Sequence, residues 1–243
     1  MGRAKDIEVR VIPSKVANEF VKEHHYSGKV VQNSNLHFGC FLDGFLHGVM
    51  SFGSPLDKRK VLGLVVDSDG QHCKWNEMLE LNRMAFDDVL PKNSESRCIA
   101  IAVRLLRKNA PHIRWILSFS DGTQCGDGTI YRASGFNLVG IKPNSSLLVF
   151  PSGDIIAAMT IEANFTLSII KKQSRYLNIE HKYRTRNEWL KLGAEKLKGY
   201  QLKYVYLIDK NCKLTAPILP FSKIDEMGAR MYKGEKINNA LEA

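Results

Sequence analysis

The sequence predicts an α/β protein with a mixed central sheet, helices on both faces of that sheet, and a basic C-terminal extension. Runs with alternating apolar residues, typical of strands, recur between segments whose apolar residues follow helical spacing. The 243 residues, 44% of them hydrophobic, suffice for one sizeable core. The formal charge of +10 is concentrated toward the C-terminal end of the chain.

The first third of the chain predicts a strand, a helix and a hairpin. Residues 7–11 alternate between apolar and charged side chains, and residues 14–28 place apolar side chains on one helical face before a glycine. Residues 36–52 alternate on both sides of Asp43–Gly44, a dipeptide that favours a tight hairpin turn. Residues 54–74 are polar and contain glycine, which predicts a loop.

The middle of the chain predicts a strand, a helix, a strand and a short helix. Residues 78–86 and the apolar run at 113–120 are expected to be strands. The segment 98–106 is apolar on nearly all sides, as in a helix that packs on a sheet, and a turn with capping residues precedes it. Residues 126–134 predict a short helix that ends at Gly135.

The expected sheet runs from about residue 7 to 160 and closes with a hairpin at 147–150 and 155–160. A further helix near 185–198 and a strand near 202–208 are expected in the extension. We therefore expect a catalytic domain at 1–165 and a basic, aromatic-rich extension at 166–243, packed on the same domain.

Residues 171–214 carry 12 basic and 4 acidic side chains, together with six Tyr and Trp residues. Clustered cations neutralise phosphates, and aromatic rings stack on bases, so this segment predicts contact with double-stranded DNA. The alternative is a solvated cationic face with tyrosines in the core. The side chains expected to bind DNA are those of Lys182, Arg184, Arg186 and Lys203.

Several classes of protein are excluded or disfavoured by what the sequence lacks. No apolar run reaches the ~18 residues of a membrane span, and the first ten residues are polar, unlike a signal peptide. The five cysteines form no CxxC pair, which favours a reducing compartment such as the cytoplasm of a bacterial host. HExxH, Walker, GxGxxG and GxSxG motifs are absent.

Three places in the predicted fold could carry chemistry. Ser94, Ser96 and Arg97 crowd a helix N-terminus, which attracts phosphates, although simple capping by a serine is the alternative. Asp121 ends a strand, where a carboxylate acts as a base or orients a substrate amine, or merely forms a turn. Tyr131 precedes Gly-Phe near a helix end and is either a proton donor or a core residue.

A fourth place is His24–His25–Tyr26–Ser27, at the end of the first long helix. Adjacent helical residues point about 100° apart, so the two histidines cannot easily bind one metal ion. His25 and Tyr26 could bind a metal together with a residue from elsewhere, or they could contact substrate. Histidines at a helix C-terminus also interact favourably with the helix dipole.

The order of elements resembles the GNAT acetyltransferase fold, through the strand ELNRMAF, the helix from Ser96, the strand ending at Asp121 and Tyr131-x-x-x-Gly-Phe. In that fold two neighbouring strands splay apart and coenzyme A enters the gap. The resemblance implies that Tyr131 protonates a leaving thiolate. The glycine-rich pyrophosphate loop of that family is absent, and KNSESR stands in its place. Acetyl-CoA would then be held by Arg83, Ser94, Ser96 and Arg97.

More narrowly, HHYSGKVVQNS, GVMSFGSP, ELNRMAF, NSESRCIA, FSDGTQCGDGTIYRASGF and YVYLIDK resemble the Mom family of phage DNA-modification proteins. The resemblance covers roughly residues 15–210. It implies conversion of the exocyclic amine of adenine in double-stranded DNA to a carbamoylmethyl group, which protects the DNA from host restriction. It also implies catalytic roles for Tyr131, Asp121, His25 and Tyr26, the use of acetyl-CoA, and iron bound by His25 and Tyr26.

Two other functions fit the same sequence. A GNAT enzyme that acetylates a protein or a small-molecule amine would have little use for the basic segment. We expect Asp121 and Tyr131 to line one cleft, which a non-enzymatic DNA-binding protein would not need. The product expected from the Mom resemblance bonds nitrogen to a methylene carbon, which acid–base catalysis of acyl transfer does not explain. A redox metal is the hypothesis that addresses this difference.

Overall fold

A computed structural model of the chain describes residues 3–123, 126–144, 146–232 and 235–236. The chain forms two compact units that alternate along the sequence. The first unit contains 1–120, 128–140 and 202–221, and the second contains 121–127, 141–201 and 222–243. This division differs from the expected boundary at 165, because a strand from the basic extension belongs to the sheet of the first unit.

The described strands are β1 Glu8–Val11, β2 Ser34–Leu42, β3 Phe45–Gly53, β4 Val65–Val66, β5 Met78–Phe86, β6 Trp115–Asp121, β7 Asn137–Pro143, β8 Leu147–Val149, β9 Ile155–Ala157, β10 Glu195–Lys196, β11 Tyr200–Leu207, β12 Lys213–Leu214, β13 Met231–Tyr232 and β14 Glu235–Lys236. The described α-helices are α1 Ser14–His24, α2 Ser94–Asn109, α3 Thr129–Ala133, α4 Ala158–Ala163, α5 Ser168–Tyr176, α6 Arg186–Lys191 and α7 Ser222–Glu226.

The first unit is built around a seven-stranded sheet in the order β1-β2-β3-β5-β6-β11-β7. The pairs β1–β2, β2–β3 and β3–β5 are antiparallel, whereas β5 and β6 are parallel. The β2–β3 turn has positive φ at both central residues, 54° at Asp43 and 84° at Gly44, as the dipeptide predicts. The expected α/β class with a mixed sheet is confirmed.

The parallel pair β5–β6 separates halfway along its length. Pairing runs from Met78–Trp115 to Leu81–Ser118 and then stops, although β5 continues to Phe86. At the same point the register between β3 and β5 shifts, so that Asn82 has no opposite residue on β3. Such a bulge bends a strand and redirects its side chains. The gap between two neighbouring strands that the acetyltransferase resemblance implies is therefore present.

Three expectations about elements need correction. Strand β7 was not expected, because Gly140 and Pro143 interrupt its pattern. The second strand of the last hairpin ends at Ala157, and residues 158–163 form the helix α4 instead. In the segment 185–198 the helix is limited to α6, which starts with a capping box of Thr185 and Glu188, and the strand β10 follows it.

The core of the first unit has two described clusters. Helix α1 buries Ala17, Phe20 and Val21 against Val49 of β3 and Ala85 of β5. The segment 54–74, expected to be a polar loop, supplies Val61, Val65 and Cys73 to a second cluster with Trp115 and Leu117 of β6. Burying a large apolar side chain contributes about 1.5–3 kcal/mol, so this segment helps to hold β6 in place.

The second unit has its own core and a three-stranded sheet in the order β10-β8-β9. Its buried apolar residues come from β8, β9, α4, α5 and α6 and from the segments next to them: Leu148, Phe150, Ile156, Ile161, Ile170, Trp189 and Ala194. No helix among the described residues is long and apolar enough to cross a membrane.

Candidate active site

Helix α2 begins without the glycine-rich loop of the GNAT fold, and an asparagine adopts the backbone conformation that favours glycine. Asn93, the residue before the helix, adopts a left-handed conformation with φ of 71°, which asparagine tolerates better than most residues. The Ser94 hydroxyl donates to the carbonyl of Pro91, and the Ser96 hydroxyl donates to that of Asn93 at 3.2 Å. Both hydroxyls thus donate to carbonyls at the start of the helix. The side chain of Asn93, the N-cap residue, makes no capping hydrogen bond.

A groove of about 660 Å³ opens along α2 in the first unit. Three arginines of α2 line it, Arg97, Arg104 and Arg107, together with Ser96. Arg97 donates to the Lys5 carbonyl at 2.9 Å, which fixes its guanidinium. Arg97 in the first turn, with Arg104 and Arg107 further along the helix, suits a ligand whose phosphate groups are spaced apart, as in coenzyme A. The groove therefore fits the cofactor that the sequence resemblance implies.

Of the four residues expected to bind the cofactor, two line the groove and two do not. Ser96 and Arg97 line the groove. Ser94 is buried, with 1% of its surface exposed, and its hydroxyl is used by Pro91. Arg83 is not among the groove residues and belongs to a different cluster on β5.

Arg83 is the centre of a second cluster in the first unit. Its Nε donates to the carbonyl of Lys29 at 2.9 Å, and Nη1 donates to that of Asn82 at 2.7 Å. Burial lowers the pKa of Arg83, while electrostatic interactions with Tyr26, Glu80 and Tyr131 oppose that shift. One cation thus connects the end of α1, strand β5 and helix α3.

His25 lies directly after α1, in extended backbone. The backbone N–H of Ser27 donates to its Nδ1 at 3.1 Å, so the neutral ring carries its proton on Nε2. Burial, with a smaller effect of Arg83, lowers the pKa of His25 to about 4, which leaves the ring neutral at pH 7. The rings of His25 and Tyr26 lie 4.3 Å apart with 32° between their planes, and Tyr26 is 54% exposed. They form an aromatic surface that includes an N–H donor.

The geometry of His25 and Tyr26 does not provide a binding site for a metal ion. Nδ1 of His25 already accepts a hydrogen bond, and Nε2 carries the proton in that tautomer. No three His, Cys, Asp or Glu side chains converge on one point within the described residues. The expected iron ligands His25 and Tyr26 therefore have no further ligands to complete an iron site among the described residues, and no step of the reaction is assigned to a metal.

Glu80 is a member of this cluster that the sequence analysis missed. It sits on β5 next to Leu81, where pairing with β6 ends. Burial raises the pKa of Glu80 to about 7, with Arg83 partly opposing the shift. In the described part of the chain, its carboxyl group makes no hydrogen bond or ion pair. A charged residue inside a strand, in ELNRMAF, was the available signal.

Tyr131 on α3 is held by aromatic contacts within the first unit. Its ring lies 5.2 Å from that of Tyr204 on β11 and 5.3 Å from that of Phe136. Gly128, with φ of 72°, permits this packing, because a Cβ there would lie 2.7 Å from the Tyr204 ring. Tyr131 is 9% exposed and interacts electrostatically with Arg83. The core position and the position in the Arg83 cluster therefore coexist.

Asp121 belongs to the second unit, whereas Tyr131 belongs to the first. Its Oδ1 accepts from the backbone N–H of Thr123 at 3.1 Å and from Asn144 Nδ2 at 3.3 Å. These contacts are those of a residue that shapes a turn. The expectation that Asp121 and Tyr131 line one cleft stays a prediction.

The four residues expected to bind DNA differ in their exposure to solvent and in their contacts. Lys182 is exposed and pairs with Glu180 at 3.2 Å, whereas Arg186 and Lys203 are half-buried. Arg184 is only 7% exposed; its guanidinium donates to the carbonyls of Glu180 and Lys182 and lies 5.4 Å from the Trp189 ring centre. Arg184 thus orders its own loop, so the expectation of a phosphate contact by this side chain needs correction.

Comparison with solved structures finds acetyltransferases. The chain is similar to an IAA acetyltransferase from Bacillus cereus, at 10% identity over 83% of this chain and 99% of the other, with a TM-score of 0.43. It is also similar to the ribosomal-protein-S18-alanine N-acetyltransferase of Escherichia coli, at 9% identity over 84% and 94%, with a TM-score of 0.44.

A curated relative is the "Methylcarbamoylase mom" of Escherichia phage Mu, 36% identical over 138 residues. The aligned region is 56% of this chain and 55% of that protein, so it spans about half the length of the relative. The model of the Mom protein family matches residues 6–223, which include Arg83 with the groups around it and the whole of α2. The chain belongs to the Mom protein family.

Proposed function

We propose that this protein attaches a carbamoylmethyl group to the N6 amine of adenine in double-stranded DNA, which protects phage DNA from host restriction. Membership of the Mom family and the name of the phage Mu relative support this reaction. The observation that carries the proposal is the cluster around Arg83, where the Glu80 carboxyl group, a neutral histidine and two tyrosines interact electrostatically with one cation.

The substrate base reaches this cluster outside the DNA stack. The N6 amine of a paired adenine is buried in the duplex, so enzymes that act on such atoms extrude the base into a pocket. The rings of His25 and Tyr26, of which Tyr26 is 54% exposed, provide a surface on which an extruded adenine stacks. Tyr131, fixed by Tyr204 and Phe136, is the proton donor to the leaving group.

The groove along α2 holds the phosphate groups of acetyl-CoA. Arg97 and Ser96 lie in the first turn, and Arg104 and Arg107 lie further along the same helix. When bound, acetyl-CoA supplies a two-carbon unit activated as a thioester. Arg97→Ala is expected to weaken binding of coenzyme A, whereas Ser94→Ala is expected to act through stability because Ser94 is buried.

The exposed face of α5 and the loop after it bind the DNA backbone. Lys171, Arg175 and Lys182 are exposed there, and Tyr183 is 48% exposed. Phe165 supports the loop, with its ring 5.8 Å from that of His181 and 6.1 Å from that of Tyr183. Cations and an exposed aromatic side chain on one ordered loop suit a polyanion with stacked bases.

The test is mass spectrometry of nucleosides from the DNA of bacteria that express the chain. N6-carbamoylmethyladenine is expected with the wild-type protein and absent with Tyr131→Phe at equal protein level. Adenine that is unmodified in cells containing folded, soluble wild-type protein would contradict the proposed reaction. Detection of acetylated protein or metabolite amines instead would assign the cluster to another acceptor.

A further inference from the structure

Glu80 combines three properties that its place in the fold does not require. It lies on β5 opposite Leu117 of β6, one residue before pairing with β6 ends and two residues before the bulge at Asn82. It is half-buried, and no hydrogen bond or ion pair of its carboxyl group is found in the described ranges of the chain. Its carboxyl oxygens are not sealed in the core, and without a hydrogen bond inside the described protein they are available to a ligand.

We propose that Glu80, in its protonated form, recognises adenine by a pair of hydrogen bonds, donating from its hydroxyl to N1 and accepting from N6–H with its carbonyl oxygen. This inference rests on the proposed function and names the group that selects the base. The Watson–Crick edge of adenine presents one acceptor and one donor side by side. A neutral carboxyl group presents the complementary donor and acceptor at the same spacing, whereas an ionised one has no donor for N1.

The surroundings of Glu80 keep this form available near neutral pH. Burial raises the pKa of Glu80 to about 7, and Arg83 on the same strand limits the rise. The other groups of the cluster are neutral His25, after α1, together with Tyr26 and the Tyr131 of α3. The charged group that acts on Glu80 is Arg83.

The same pair of hydrogen bonds activates the amine. The O–H bond of Glu80 breaks as a new N1–H bond forms, while one N6–H bond breaks and its proton moves to the other carboxyl oxygen. Glu80 ends with one proton, as it began, and no electrons are gained or lost. Adenine becomes its imino tautomer, in which the N6 lone pair lies in the ring plane and is no longer shared with the ring. A poor nucleophile thus becomes one that can form a new N–C bond.

Glu80→Gln and Glu80→Ala separate recognition from proton exchange. A glutamine amide donates to N1 and accepts from N6–H, but it cannot exchange protons. In purified form, Glu80→Gln is expected to bind a duplex with one adenine opposite an abasic site within about threefold of wild type. Its modified fraction in cellular DNA is expected to fall about 100-fold or more. Glu80→Ala is expected to lose both properties.

The probe for recognition is the same duplex with 1-deazaadenine, in which a C–H group replaces N1. Wild type is expected to bind it about tenfold or more weakly than the adenine duplex, since one good hydrogen bond is lost and Glu80 is left without a partner. Glu80→Ala is expected to bind the two duplexes equally. Glu77→Gln, the same change three residues away at a side chain that faces Arg114 at 3.8 Å, controls for the substitution itself.

Equal binding of the two duplexes by wild type, or equal discrimination by wild type and Glu80→Ala, would overturn the inference. Modification by Glu80→Gln at the wild-type level would overturn the proton exchange. Circular dichroism checks that each variant is folded. If wild type modifies no adenine at all, the proposed function fails, whereas the binding comparison still decides whether Glu80 reads N1.

Discussion

Glu80 in the first unit is half-buried and Arg184 in the second is buried, and the contacts of their charged ends are opposite. Arg184 donates to two backbone carbonyls and lies over the Trp189 ring. Glu80 has no such partner in the described structure. The hydrogen bonds of Arg184 stabilise its own loop, whereas the carboxyl group of Glu80 has hydrogen-bonding capacity that a ligand can use.

Two carboxyl groups show the same contrast between side chains with the same functional group. Asp154 interacts with Lys172, Ser152 and Gln173, and these contacts lower its pKa to about 2. Burial raises the pKa of Glu80 to about 7. The carboxylate of Asp154 is bound by the protein in its ionised form, while the surroundings of Glu80 favour the neutral form.

The largest effect is expected for Tyr131→Phe, which tests whether the Arg83 cluster of the first unit carries out the reaction. Loss of the hydroxyl removes a proton donor and leaves the ring contacts with Tyr204 and Phe136. The modified adenine fraction should fall about 100-fold or more, with little change in stability. Tyr200→Phe, at the start of β11 and outside both the Arg83 cluster and α5, serves as the matched control. Normal modification by Tyr131→Phe would return this residue to a purely packing role.

Arg184→Met tests whether the buried Arg184 of the second unit stabilises the fold. The substitution keeps much of the side-chain volume but leaves the carbonyls of Glu180 and Lys182 without their donor. We expect a loss of about 2–3 kcal/mol in the free energy of unfolding, measured by urea denaturation. Where the variant is folded, the salt dependence of DNA binding should be unchanged. A stable variant with a reduced salt slope would place Arg184 among the phosphate contacts after all.

Glu80→Gln sharpens the comparison through the pH dependence of stability. Because the folded-state pKa of Glu80 lies above its ordinary value, its contribution is fully present below about pH 4.5 and is lost as pH rises through about 7. The variant should therefore gain stability relative to wild type with rising pH, on the order of 2–3 kcal/mol by pH 8. A constant difference between pH 4.5 and 8 would show that Glu80 titrates normally.

The sequence predicts most of the first unit, because local patterns determine its elements. Alternation around Asp43–Gly44 and the run at 78–86 locate β2, β3 and β5 closely. The position of β11 between β6 and β7 could not be predicted, because strand order depends on packing between segments far apart in the chain. For the same reason, the expected extension turned out to supply the ring that supports Tyr131.

The candidate site was predicted only in part. His25, Tyr26 and Tyr131 stand in recognisable motifs, and their interactions with Arg83 place them in one cluster. Glu80 was missed, since burial and the lack of a partner are properties of the fold and not of local sequence. Arg184 was assigned to DNA from composition, which counts charges but does not show which of them face solvent.

The smallest effect is expected for Lys182→Ala, which asks whether an exposed cation of the second unit contacts DNA. Lys182 pairs only at the surface, with Glu180, so its removal should leave stability within about 0.5 kcal/mol of wild type. One lost phosphate contact should reduce the log–log slope of DNA affinity against salt by about one, equally for all sequences. Lys223→Ala is the matched control, because Lys223 is a lysine that pairs with Glu226 outside the basic segment. Equal slopes for Lys182→Ala and wild type would show that Lys182 makes no phosphate contact, and the search for the DNA-binding surface would then move to Lys171 and Arg175.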